Sequence, residues 1–167
     1  LAAIAPGASA GAEDAPGELW RRAVSPDGMV AVSIPCSASE TAMRRTEATT
    51  AMICKSGGLG FEVLVGAMPG RAQGAPAASF DTLLAEATRD KAAGTVAMVT
   101  IGGHRAFTVT RPASGPLGLA EFVDFKPQKP VVLMAMEDPE GAIGAAAREA
   151  ATARARKFIA SLEILGS

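Results

Sequence analysis

One imidazole, two thiols and a few unusually placed charges carry most of the chemistry in this 167-residue chain. His104 is the only histidine. It follows Gly102-Gly103 and precedes Arg105, the arrangement of a residue at a hairpin tip. Such a histidine either responds to pH or touches a substrate, or is simply a solvated turn residue. A Ser-His-Asp triad would have to use this imidazole, and no serine stands out as its partner. Arg154 falls within the apolar stripe of the last helical segment. From there it would reach an anionic ligand or a buried carboxylate, or lay its stem along the core edge and extend to water. His104, Arg105 and Arg154 are therefore the candidate ligand contacts. Asp81, Glu86 and Asp90 share one helical segment, as a solvated face would, and an acid/base pair needs two carboxylates in one cleft.

Other chemistries are excluded by what is missing. Cys36 and Cys54, with one histidine, do not make a four-ligand zinc site within one chain. They are not a Cys-x-x-Cys redox pair either. In an oxidising compartment they are expected to form one disulfide, contributing roughly 3 kcal/mol, and in the cytosol they would be two buried thiols. Gly7-Ala8-Ser9-Ala10-Gly11 matches the nucleophile-elbow pattern but has no strand before it and no helix after it. No phosphate-binding loop is present, and Gly57-Gly58-Leu59-Gly60 lacks dinucleotide-fingerprint spacing. Neither a cofactor nor a metal is expected. Tyr and Asn are absent, which removes further catalytic constellations.

Charge is balanced, with 16 Lys+Arg against 17 Asp+Glu, and only 4% of residues are aromatic. A dedicated nucleic-acid binder needs a basic excess and stacking rings, so that partner is not expected. Arg44-Arg45 and Arg154/Arg156/Lys157 are too short to imply a polyanion. No segment approaches the roughly 20 apolar residues of a membrane span, which predicts a soluble protein without one. Residues 1–10 read as the tail of a secretory signal, with a small-x-small cleavage pattern at Ala8-Ser9-Ala10. Residues 1–18 are thus assigned to that tail and a leader, and 19–167 to one domain.

The elements that must position these residues follow from periodicity. Ser25-Pro26-Asp27-Gly28 is a turn, and Val30, Val32 and Ile34 alternate along a strand ending at Pro35. A polar stretch from Ser37 to Glu47 leads to strands at 48–55 and 61–68. The period then becomes helical. Ser79 is a cap, Phe80, Leu83, Leu84 and Ala87 line one face, and Gly94 is the C-terminal cap. A hairpin pairs 95–101 with 104–110, setting Met98 opposite Phe107 and Val96 opposite Val109. Strands at 119–125 and 131–136 follow. Asp138-Pro139-Glu140 opens the final helix, whose stripe is Ala147, Ala151, Ala155, Phe158 and Leu162. Apolar residues on both faces of these strands predict an α+β fold, an α/β/α sandwich. One antiparallel sheet of six to seven strands would be covered by helices on both faces, in the order βββαββββα.

The opening run Asp27-Gly28-Met29-Val30-Ala31-Val32-Ser33-Ile34-Pro35 and the closing run Lys157-Phe158-Ile159-Ala160-Ser161-Leu162-Glu163-Ile164 resemble the PsbP-like and DcrB-like exported bacterial families. The likeness spans about residues 19–165, with Met29 where an aromatic is usual. It implies a non-enzymatic accessory or binding protein, periplasmic or secreted, with a protein or small-molecule partner in the cell envelope. It supplies no functional residue. Two other readings stand beside it: a small hydrolase-type enzyme using His104 or a carboxylate pair, and a homo-oligomeric structural component.

Overall fold

The computed structural model describes residues 18–66, 78–127, 129–140 and 143–166. The leader assigned to 1–18, apart from Glu18, and residues 67 and 68 of the strand expected at 61–68 lie outside them.

Ten strands and two α-helices are formed among the described residues. β1 (Arg21–Val24) and β2 (Val30–Ile34) flank the predicted Pro-Gly turn. β3 (Ala42–Arg45), β4 (Thr49–Ser56) and β5 (Leu59–Gly66) precede helix α1 (Phe80–Arg89). β6 (Thr95–Ile101), β7 (His104–Thr110), β8 (Gly118–Lys126) and β9 (Lys129–Glu137) then run to a 3-10 turn at Ala145–Ala147. Helix α2 (Arg148–Ala160) and β10 (Glu163–Ile164) end the fold.

The strands form two sheets. The larger is antiparallel throughout, in the order β3-β4-β5-β9-β8-β7-β6, and the smaller is β1-β2-β10. Alternation divides the large sheet's residues. Met52 and Cys54 of β4, Phe61 and Val63 of β5, Leu133 and Ala135 of β9 and Val123 of β8 join the main core. Val30, Val32 and Ile34 of β2 pack there, as do Ala151, Ala155, Phe158 and Ile159 of α2. One face of the large sheet is therefore covered jointly by α2 and the small sheet. Phe158 is wholly buried, 5.2 Å from Phe61 edge to face. The alanines beside it let the helix backbone lie close to the strands.

The expectation of an α/β/α sandwich is corrected here. On the second face, α1 reaches only the β6–β8 end, where Phe80 and Leu83 pack with Val96, Phe107, Val109 and Phe122. Ala51, Leu64 and Val132 form a separate cluster farther along that face. The chain is mainly two sheets with one helix on each side, not one sheet between helical layers. Alternation identified β2 as a strand with a buried face but carried no information on which strands it pairs with. Its partners are β1 and the distant β10, at Ala31↔Glu163 and Val30↔Ile164. The two runs that carry the family resemblance thus meet as paired strands.

Two helix boundaries also differ. α1 ends at Asp90, whose N–H donates to the Glu86 carbonyl, four residues before Gly94. Gly94 instead has φ 150°, and a Cβ there would strike the Thr110 carbonyl, so it serves a close strand contact. Asp138-Pro139-Glu140 does not start α2, which begins ten residues later. Asp138 accepts the Glu140 N–H in a local turn, and the Glu137 carboxylate accepts the Ile143 N–H. These competing bonds hold the segment out of helix.

Candidate functional site

Cys36 and Cys54 form a disulfide, with Cα atoms 6.4 Å apart. Both are buried, Cys36 just beyond β2 and Cys54 within β4, so the bond ties the small sheet to the large one. Arg21 supports this junction by donating from Nε to the Cys36 carbonyl at 2.6 Å.

Arg154 is engaged on every side. Its Nε donates to Glu18 at 2.9 Å, and its two terminal nitrogens reach the Ser56 carbonyl and hydroxyl at 3.2 and 3.0 Å. The guanidinium also lies over the Phe61 ring, 5.6 Å from its centre. Both side chains of the Arg154–Glu18 pair are largely buried. Of the two readings of this arginine, the partner present is a carboxylate of the same chain. The pair borders an open groove of about 750 Å³ with Pro35, Cys36 and Gly57.

His104 Nδ1 lies 3.1 Å from the Asp124 carbonyl oxygen. A carbonyl only accepts, so Nδ1 carries the proton. The ring also meets Phe125 edge to face at 5.6 Å. Arg105 donates to Asp124 at 2.8 Å, reaches Asp81 at 3.4 Å and covers the Phe80 ring at 4.9 Å. It therefore staples the start of α1 to β7 and β8. Asp124 first, with Asp81, stabilises its charge against partial burial and raises its pKa further. Arg105 lines a cleft of about 90 Å³, and Arg154 lines a different one, so these candidates are not brought into one site. Among the described residues there is no cluster of His, Cys, Asp and Glu suited to a metal.

A different set of residues converges elsewhere. Arg111 at the end of β7, with Arg148 and Arg156 on α2, lines one cleft of about 210 Å³. Leu117, Leu119 and Ala155 supply apolar walls. Arg148 and Arg156 lie eight residues apart on α2, about two turns, so they project from one side of the helix. Gly118 faces Arg111, and a Cβ there would stand 2.5 Å from the arginine Cδ, so the missing side chain lets the stem lie against the strand. Glu137 fixes both walls, accepting the Leu117 N–H at 2.8 Å and the Ile143 N–H at 2.9 Å. Those two bonds, followed by the charge of Arg148, hold its carboxyl below the usual range despite partial desolvation. None of the three arginines takes part in an ion pair within 4 Å among the described residues.

Glu121 is another residue that the sequence analysis does not single out. It lies on β8 opposite Leu133 and Thr108, on the face covered by α2, and is only 3% exposed. Its Oε1 has no hydrogen-bond partner among the described residues, and burial pushes its pKa up to about 7. A signal was present: Glu121 interrupts the apolar alternation Leu119, Val123, Phe125. No comparable local signal marks the arginine cleft, whose members are 37 residues or more apart except for the α2 pair.

Comparison with known proteins adds little. No family model and no curated protein matches the chain. A solved structure from Bacteroides thetaiotaomicron is similar over 87% of this chain, at 15% identity and a TM-score of 0.40. The match takes in 48% of that structure, so this chain spans about half its length. At that level of likeness no fold or function carries across.

Proposed function

We propose that this is an exported protein of the bacterial cell envelope that acts by binding, as an accessory module for a small molecule or partner, rather than by catalysis. The observation that carries the reading is the cleft between α2 and the β7–β8 loop. Three guanidinium groups with no ion-pair partner among the described residues stand there beside apolar walls, the combination that fixes and orients a ligand. The disulfide supports export, because such bonds persist in oxidising compartments. The motif likeness to PsbP-like and DcrB-like proteins points the same way. His104 donates from Nδ1 to the Asp124 carbonyl and packs its ring on Phe125, contacts that hold the β6–β7 turn against β8.

The test is a two-dimensional NMR titration of the intact protein with a mixture of small polar and amphipathic compounds. Shifts should cluster at Thr110–Leu119 and Arg148–Arg156 and persist in His104→Ala. A cleft whose resonances stay unmoved by every compound would overturn the binding reading. Turnover of an ester or amide that is lost in His104→Ala would establish the enzyme instead.

A second reading, a homo-oligomeric component, is favoured by one feature. β6 is an edge of the large sheet and carries no charge along Thr95–Ile101, so it offers unpaired backbone groups to another strand.

A further inference from the structure

The cleft's geometry points to a ligand class: we propose that Arg111, Arg148 and Arg156 together bind a small phosphate ester, holding its oxyanion by their guanidinium groups and its short carbon body against Leu117 and Leu119. This inference rests on the binding reading above and makes it chemically specific.

Three observations carry it. The first is charge. The three arginines bring three positive charges to one cleft, and Glu137, beside Arg148, returns one negative charge. The net excess of two matches a phosphomonoester, which carries about −1.5 to −2 at neutral pH, better than a single carboxylate. Each Glu137 oxygen already accepts one backbone N–H, which fixes the orientation of the carboxylate and leaves its charge counted once against the three arginines. The second is donor supply. A guanidinium presents five N–H donors in a planar fork suited to phosphate, and three of them surround an anion more completely than a monocarboxylate needs. Thr152, which also lines the cleft, is not a spare donor, since its hydroxyl is given to the Arg148 carbonyl. The third is size. About 210 Å³ is the room of roughly seven waters at about 30 Å³ each, below the range of sites for drug-sized molecules. Nucleotides and intact phospholipids are too large to be enclosed, whereas an ester with a three-carbon body fits.

The positions are also built rather than incidental. Gly118 accommodates the Arg111 stem, and Glu137 ties the loop bearing Leu117 to the chain leading into α2. The ligand would therefore close a gap between two walls already fixed in position.

Calorimetry and NMR on the intact, oxidised protein at low salt test the proposal, using inorganic phosphate, glycerol 3-phosphate and butyrate as probes. Glycerol 3-phosphate should bind most tightly and shift resonances of Thr110–Leu119 and Arg148–Arg156. Arg111→Ala, Arg148→Ala and Arg156→Ala should each weaken it about tenfold or more, the loss of a charged hydrogen-bond donor set, while Arg89→Ala on α1 leaves it unchanged. Arg89, Arg111 and Arg156 are exposed and Arg148 is half-buried, none makes an ion pair among the described residues, and unchanged unfolding midpoints would confirm intact folding. Tighter binding of butyrate overturns the phosphate assignment but leaves the binding reading standing. So does a cleft that answers to an uncharged compound and to no anion. Equal weakening by Arg89→Ala would show only a general attraction of cations for phosphate and would overturn the site.

Discussion

At the scale of single residues, the carboxyls of buried Glu121 and half-buried Asp27 act on stability in opposite directions as pH changes. Glu121 has no hydrogen bond to its Oε1 and only burial acting on it, so its carboxyl titrates near 7 rather than at the ordinary 4.5. A pKa raised on folding means that the folded state holds the proton more tightly. Its contribution to stability is full below 4.5 and is lost as pH rises through 7, about 3 kcal/mol in all. Asp27 behaves the other way. Burial raises its pKa, but hydrogen bonds from the Ser25 hydroxyl, the Met29 N–H and the Thr50 hydroxyl outweigh that and leave it lowered. Its contribution is present above the ordinary value of 3.8 and is lost as pH falls through the lower folded value. Stability should therefore peak in mildly acidic solution. Urea unfolding at pH 5 and pH 8 should show the wild type weaker at pH 8, and Glu121→Gln should remove most of that difference. An unchanged difference in the variant would mean that Glu121 is not the group responsible.

At the scale of elements, the strands and α1 were legible because their signals are local. Val30, Val32 and Ile34 alternate, Ser79 caps α1 by accepting the Thr82 N–H at 3.2 Å, and Gly102-Gly103 sets the β6–β7 register at Met98↔Phe107 and Val96↔Val109. β1, β3 and β10 were not legible. β3 is exposed at every residue, so no hydrophobic period marks it, and β10 is only two residues long. What joins the layers is not local either. The Cys36–Cys54 bond connects the end of β2 to β4 across 18 residues. Removing it in Cys36→Ser/Cys54→Ser should cost roughly 3 kcal/mol, read as a lower urea midpoint. The same midpoint for the oxidised protein and the double variant would mean that the bond does not constrain the unfolded chain.

At the scale of the whole molecule, the two edges of the large sheet are unlike. β3 carries Arg44 and Arg45, which discourage pairing with another chain, whereas β6 is uncharged and has Met98 more than half exposed. If copies assemble, they should do so through β6. Light scattering across a concentration series should then give a mass that rises above the monomer and returns to it in Met98→Lys. A monomer mass at every concentration would remove the homo-oligomeric reading.

The amino-acid sequence determined the positions of most strands, the helix of 80–89, the lack of a four-ligand Cys/His zinc set in its composition and the pairing available to two cysteines. Each of these follows from neighbours along the chain or from a count of residue types. The tertiary structure alone decided that β2 belongs to a second sheet, that Arg154 is committed to Glu18, and that Glu121 stands unpaired under α2. It also decided that Arg111, Arg148 and Arg156 share one cleft. Strand partnership and the meeting of distant charges depend on how layers stack. Stacking is governed by burial summed over the whole core, a quantity no window of sequence contains.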